Sequence, residues 1–220
     1  MALASDRFTQ TISLSFEDFL AQCGDDNRYE LIDGELFDLE PTGPHEEVAA
    51  AILLRRRYAI ARWLNYDIVQ QGADYFIPHR CLIKPLANQT GFRPDVIVLD
   101  RAALPQEPLS QEPLWASQPV VTLGSTIKFV AEVVSSNWQN DYARKLEDYA
   151  LLGIPEYWIA DYQGLGGEFF IGRPKQPTLT LCILNSEGRY DRQLLRGDQR
   201  ITSSVFPNLN LTAKAILGVG

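Results

Sequence analysis

Polar and apolar residues alternate through RYELI and ELFDL on either side of Asp33-Gly34, which predicts a tight hairpin over residues 28–40. Ahead of it, Ser15 can cap a short helix and Asp18 can complete a capping box before Phe19 and Leu20, with the helix ending at Gly24-Asp25-Asp26-Asn27. After Pro41-Thr42-Gly43-Pro44 the period changes. Val48, Ala49, Ile52, Ala59, Ile60 and Trp63 recur at helical spacing, predicting a long amphipathic helix that begins at His45. Strand-like runs follow at YDIVQQGADYFI, RPDVIVLD and STIKFVAEVVSS, each bounded by Gly, Pro or Ser.

The stretch 101–124 is rich in Pro and Gln and reads as a loop-rich insertion. DYARKLEDYALLG is a helix with Asp141 as its N-cap, Gly153 just past its end and Pro155 beyond. EYWIAD reads as a short buried strand. Three antiparallel strands are expected after it, at EFFIGR, LTLCIL and YDRQLL, then a turn at Arg196-Gly197-Asp198 and a short terminal helix. The order predicts one α/β (α+β) domain over residues 1–220: a mixed central sheet flanked by helices, with an antiparallel C-terminal extension and a flexible stretch at 1–10.

Hydrophobic residues make up 45% and charged residues 22%, as in soluble globular proteins. No leader-like or membrane-spanning run is evident, so the expected location is the cytoplasm. Cys23, Cys81 and Cys182 are isolated and odd in number, which suits buried thiols rather than disulfides. With only His45 and His79 beside them, a zinc cluster is not expected. A net charge of −8 argues against coating nucleic acid by bulk electrostatics. Local patches remain: Arg55, Arg56 and Arg57 lie on the long helix, where a solvated face is the plainer account. Arg55, Arg56 and Arg93 are the candidate contacts to a phosphate backbone.

One carboxylate sits in an awkward place. In TIKFVAEVV, strand alternation sends Ile127, Phe129, Ala131 and Val133 to one face and Lys128, Val130, Glu132 and Val134 to the other, and both faces look buried. An ionised Glu132 there needs a cation or donors. Lys145 lies within the apolar stripe Tyr142, Leu146, Tyr149, Leu152 of the following helix and should point at the sheet. Asp95 opens the neighbouring strand. Two carboxylates and a lysine converging on one sheet can hold a hard divalent cation and place a water beside it. A buried Glu–Lys ion pair, with Asp95 as a turn residue, accounts for the same spacing.

These segments, RPDVIVLD, VAEVVSS and DYARKLEDYALLGIPEYWIAD, together with YELIDGEL, resemble the bacterial putative restriction endonuclease family of the PD-(D/E)xK nuclease superfamily. The resemblance implies a restriction-endonuclease-like core in which Asp95 and Glu132 bind Mg²⁺ or Mn²⁺ and DNA phosphodiester bonds are hydrolysed. Val134 stands where the motif lysine would be, and the resemblance implies that this lysine has moved to Lys145. Glu30 is then a further acid near the metal or a solvent-facing strand residue. His45 contacts phosphate or a metal-bound water, or is an ordinary histidine near a helix N-terminus. A homodimer is expected if both strands of a duplex are cut. The alternatives are an inactive binding module on the same fold and a metal-dependent hydrolase of small phosphoesters.

Overall fold

The structure is a computed structural model that describes residues 13–39 except 25 and 27, residues 59–60, 62–64, 81–85, 89–104 and 120–218, and the backbone of 75–76. The expectations for residues 1–10, His45, Arg55, Arg56, Arg57 and His79 lie outside the described residues.

Helix α1 (Phe16–Cys23) starts where the cap predicts. Ser15 Oγ accepts from the Asp18 N–H at 3.0 Å and donates to the Asp18 carboxylate at 2.7 Å, so the acid closes the box on the hydroxyl. Strands β1 (Tyr29–Ile32) and β2 (Glu35–Asp38) form the hairpin. Asp33 at φ 51° and Gly34 at φ 83° both take the left-handed conformation that a two-residue primed turn requires.

The central sheet has the order β10-β9-β8-β7-β5-β3. Its strands are β3 (Tyr75–Phe76), β5 (Val96–Asp100), β7 (Ile127–Val133), β8 (Glu156–Asp161), β9 (Thr178–Leu184) and β10 (Tyr190–Leu195). Strands β7 and β8 run parallel, and the other neighbours are antiparallel. A small parallel pair, β4 (Leu82–Ile83) and β6 (Val120–Val121), lies apart from this sheet. β6 falls inside the stretch expected to be loop-rich; two residues are too few to leave a periodicity in the sequence.

The parallel β7–β8 pair needs a crossover, and the helix α2 (Lys145–Leu151) supplies it. A π-helical turn over Asn140–Arg144 precedes α2, and Lys145 N donates to Asn140 O five residues back. The helical path already includes Trp138 and Gln139, so Asp141 is an interior residue and not the N-cap. The π turn, invisible to a 3.6-residue period, accounts for the difference.

Each face of the sheet carries a core. One contains Phe129, Ala131, Val133, Trp158 and Leu181, covered by Ile60 and Leu64 from helical residues 59–60 and 62–64 and by Ile216 of α4 (Ala213–Leu217). The other contains Val130, Val134, Tyr157, Ile159 and Cys182, covered by Tyr142 and Tyr149. Ile127 joins the second face rather than that of Phe129. The pairing slips between Val98–Phe129 and Leu99–Ile127, and this irregularity resets the alternation.

EFFIGR is not a strand. Glu168–Ile171 forms the short helix α3, with Gly167 as its N-cap and Gly172 at φ 76° after it. Helical spacing buries Ile171 and leaves Phe169 outside, while β9 takes the antiparallel place beside β8. Among the described residues, no helix is long and apolar enough to cross a membrane. All three cysteines are free thiols, with Cys81 and Cys182 buried.

Candidate active site

Glu132 projects from the same face of β7 as Val130 and Val134, under α2, and is buried. Lys145 comes down onto it from the first turn of α2. Its Nζ lies 3.1 Å from Glu132 Oε1, 3.0 Å from Glu30 Oε1 and 3.4 Å from Asp141 Oδ1. Three carboxylates around one ammonium fix its direction, and the Phe92 ring, 5.8 Å away, closes the apolar side.

Glu30 reaches the cluster because the β1–β2 hairpin is docked twice. Leu31 exchanges main-chain hydrogen bonds with Gly91, and the Arg93 N–H donates to Glu30 Oε1 at 2.8 Å. On the other side, Arg144 bridges Asp33 of the turn and Asp148 of α2, at 2.7 and 2.9 Å. Glu30 is therefore 1% exposed, in the interior rather than facing solvent.

Asp95 is set by main-chain contacts at the start of β5. Its Oδ2 accepts from the Val133 N–H at 2.8 Å, and its own N–H lies 3.4 Å from Glu132 Oε2. Each of the two acids thus approaches the backbone next to the other. Tyr149, one turn after Lys145, donates its hydroxyl to Glu132 Oε1 at 3.1 Å, and its ring packs edge-on against Phe92 and Tyr157. Oε1 is occupied by Lys145 and Tyr149, and Oε2 is the oxygen turned toward Asp95.

Burial pushes the Glu132 carboxyl well above its usual range, Lys145 opposes that, and the negative charges of Asp141, Asp95 and Glu30 add to it. Burial works against the Lys145 ammonium, yet Glu132, Glu30 and Asp141 together hold its pKa well above the ordinary lysine value. Burial also raises Tyr149, helped by Glu132 and Glu30, so this hydroxyl remains a donor.

Among the described residues, no three His, Cys, Asp or Glu side chains form a ready metal cage. Mg²⁺ commonly takes one or two protein carboxylates and completes its shell with waters and phosphate oxygens. The hard oxygens of Asp95 and Glu132 fit that pattern, and the surplus negative charge that helps raise Glu132 is what a divalent cation would offset. Those two residues would hold the ion.

The structure thus brings Asp95, Glu132, Lys145 and Glu30 together. Arg93 it places elsewhere: the side chain is 6% exposed and its guanidinium donates to the carbonyls of Tyr29, Cys23 and Gly24, so it ties the end of α1 to β1 rather than facing solvent. Asp141 and Tyr149 join those four at the site, beyond the residues expected from the sequence. Their signal was present: both lie four residues from Lys145, the spacing that puts side chains on one helical face.

No curated protein matches the chain. A crystal structure of a putative nuclease belonging to DUF820 from Anabaena variabilis ATCC 29413 superposes with a TM-score of 0.60 at 14% identity, covering 93% of this chain and 98% of that one, and so shares its fold. The model of the family Uma2, described as putative restriction endonuclease, matches residues 16–214, nearly the whole length, and the chain belongs to that family.

Proposed function

We propose that this protein is a divalent-metal-dependent nuclease that hydrolyses DNA phosphodiester bonds at the Asp95–Glu132–Lys145 site. The observation that carries the reading is the meeting of those three side chains, from two strands and the crossover helix, in a chain of a restriction-endonuclease-like family. The nuclease name of the structural neighbour agrees with it.

When bound, Mg²⁺ or Mn²⁺ supplies charge neutralisation at the phosphoryl group and a more acidic water. The chain's own residues do the rest. Asp95 and Glu132 present hard oxygens on one sheet face, and Tyr149 holds Glu132 so that Oε2 faces Asp95. Lys145 stays an ammonium at any ordinary pH, and as a fixed cation it stabilises the extra negative charge of the pentacovalent transition state. Glu30 and Asp141 keep that cation aimed at Glu132 and belong to its positioning rather than to the reacting atoms.

A second reading has one observation in its favour. The three carboxylates around Lys145 already share that one internal cation, which also suits a nuclease fold retained as a non-cutting binding module. Incubation of supercoiled DNA with the full-length protein in Mg²⁺ or Mn²⁺, beside Glu132→Ala and Asp95→Asn, separates the two. Nicking by the native chain alone supports the nuclease. No cleavage by any of them, with no metal binding by calorimetry, leaves the binding module, and equal cleavage by all three marks a contaminant.

A further inference from the structure

We infer that Phe169, Phe170 and Trp138, with Arg192 across them, form a stacking platform for an unpaired nucleic-acid base beside the carboxylate–lysine site. The inference rests on the reading that the chain acts on nucleic acid.

Phe169 is 81% exposed, unusual for a ring in a structure whose other described aromatic residues are largely buried. It is not isolated. Its ring meets Phe170 edge-on at 5.2 Å, Phe170 stacks on Tyr142 at 5.3 Å and 29°, and Trp138 closes on Phe170 at 6.2 Å. A Cβ at Gly167 would come within 3.0 Å of the Trp138 ring, so the glycine lets α3 press against Trp138 and hold the group together.

The platform lies on the site's side of the sheet. Arg192 is paired across the strands with Cys182 and Cys182 with Tyr157, which pairs with Val130, two residues before Glu132 on the same face. The link to the site is short in residues too: Tyr142, under Phe170, directly follows Asp141, whose carboxylate is 3.4 Å from Lys145 Nζ.

Charge selects the occupant. In a chain of net charge −8, the cation set against these rings is the exposed Arg192; Arg173 and Lys175 follow α3 in the chain, with Arg173 paired to Glu168. The Arg192 guanidinium stands 5.8 Å from both the Phe169 and Phe170 centroids. Exposed rings bind the π face of a base, and a guanidinium over them adds a cation for its phosphate, which is how proteins hold single strands without reading sequence. An apolar protein partner would gain nothing from the Arg192 guanidinium lying against the rings.

The test uses the full-length protein in EDTA, so that binding is read without cleavage, with a fluorescein-labelled single-stranded oligothymidine as probe. Phe169→Ala and Phe169→Leu should each weaken binding by about five- to a hundredfold, as loss of one stacked base does. Phe169→Trp should restore it, and Arg192→Gln should lower the salt slope by about one. Because Phe169 is exposed, its variants should melt with the native chain.

Unchanged affinity in Phe169→Ala, or no binding by the native chain, overturns the platform. So does Phe169→Leu binding like the native chain, which marks a merely apolar contact. A dimer that dissociates on Phe169→Ala in sedimentation, with DNA affinity unchanged, assigns the patch to a second copy instead. Failure of the nuclease reading looks different: binding that depends on Phe169 persists, and no DNA is cut in Mg²⁺ or Mn²⁺.

Discussion

Lys145 Nζ and Glu132 Oε1 lie 3.1 Å apart beneath α2, and the lysine is shared with two further carboxylates. The cluster therefore has more anions than cations, and its two ends respond differently to mutation. Lys145→Met leaves Glu132, Glu30 and Asp141 facing one another in the interior, and removing one partner from a buried charge cluster costs about 3–5 kcal/mol. Glu132→Gln leaves Lys145 with Glu30 and Asp141, so its cost should be within about 1 kcal/mol of zero. Urea denaturation of both variants checks this. Added Mn²⁺ should recover part of the loss in Lys145→Met, since a divalent ion offsets the same carboxylates; equal destabilisation by both variants, with no recovery, would contradict the picture.

The displaced Glu132 carboxyl gives a pH signature. Its folded pKa lies above the ordinary value of 4.5, so the folded chain keeps a proton that the unfolded chain has lost. Between 4.5 and the folded pKa, the stability of the metal-free protein should fall as pH rises, by up to about 1.4 kcal/mol per pH unit. Lys145 is also raised, so its contribution is intact below 10.5 and lost only as pH passes its folded value; in the acid range Glu132 is joined by Asp148, which burial also raises, and Glu132→Gln separates the two. A metal ion held by Glu132 would expel the proton of that carboxyl, so apparent Mn²⁺ affinity should climb with pH over the same window. Calorimetry in two buffers of different ionisation heat measures the released proton, and Glu132→Gln should abolish it.

Much of this site was legible because strand and helix periods are robust. Alternation placed Glu132 on a buried face, and the stripe Tyr142–Tyr149 placed Lys145 over it. What escaped depended on departures from those periods. The π turn at 140–144 moved Asp141 from an expected cap into the cluster, and the slip at Ile127 changed its face. EFFIGR has the composition of a strand, and the glycines on either side together with the pairing of β8 to β9 made it a helix. Glu30 needed the docking of Leu31 on Gly91 and of Asp33 on Arg144, contacts between residues 60 or more positions apart that no local pattern encodes.

Tyr149→Phe removes a single hydroxyl whose acceptor is the buried Glu132 Oε1. Loss of a donor to a buried carboxylate costs about 1–3 kcal/mol. In the nuclease reading the ring stays and Glu132 loses its orientation toward Asp95, so cleavage should drop about tenfold or more with little change in DNA binding. A pH–rate profile distinguishes this from general destabilisation: without the hydroxyl, the acid limb should move to higher pH because Glu132 has lost a donor to its charged form.

Arg93 decides between a structural and a DNA-contacting role in one experiment. Its guanidinium spans the Gly24 carbonyl at 2.7 Å, Tyr29 at 3.1 Å and Cys23 at 3.2 Å, acceptors at the end of α1 and the start of β1. A lysine keeps the charge and loses the planar fork that reaches several carbonyls at once. Arg93→Lys should therefore lower stability by about 2 kcal/mol or more, since hydrogen bonds from charged donors are among the stronger ones. The hairpin that carries Glu30 hangs from the same backbone, because the Arg93 N–H holds Glu30 Oε1, so the variant should also weaken metal binding indirectly. If the side chain instead touched phosphate, removing its charge in Arg93→Gln would reduce the salt slope of DNA binding by about one. An interior Arg93 predicts an unchanged slope in Arg93→Gln alongside a lower denaturation midpoint, and a changed slope with an unchanged midpoint would reverse the assignment.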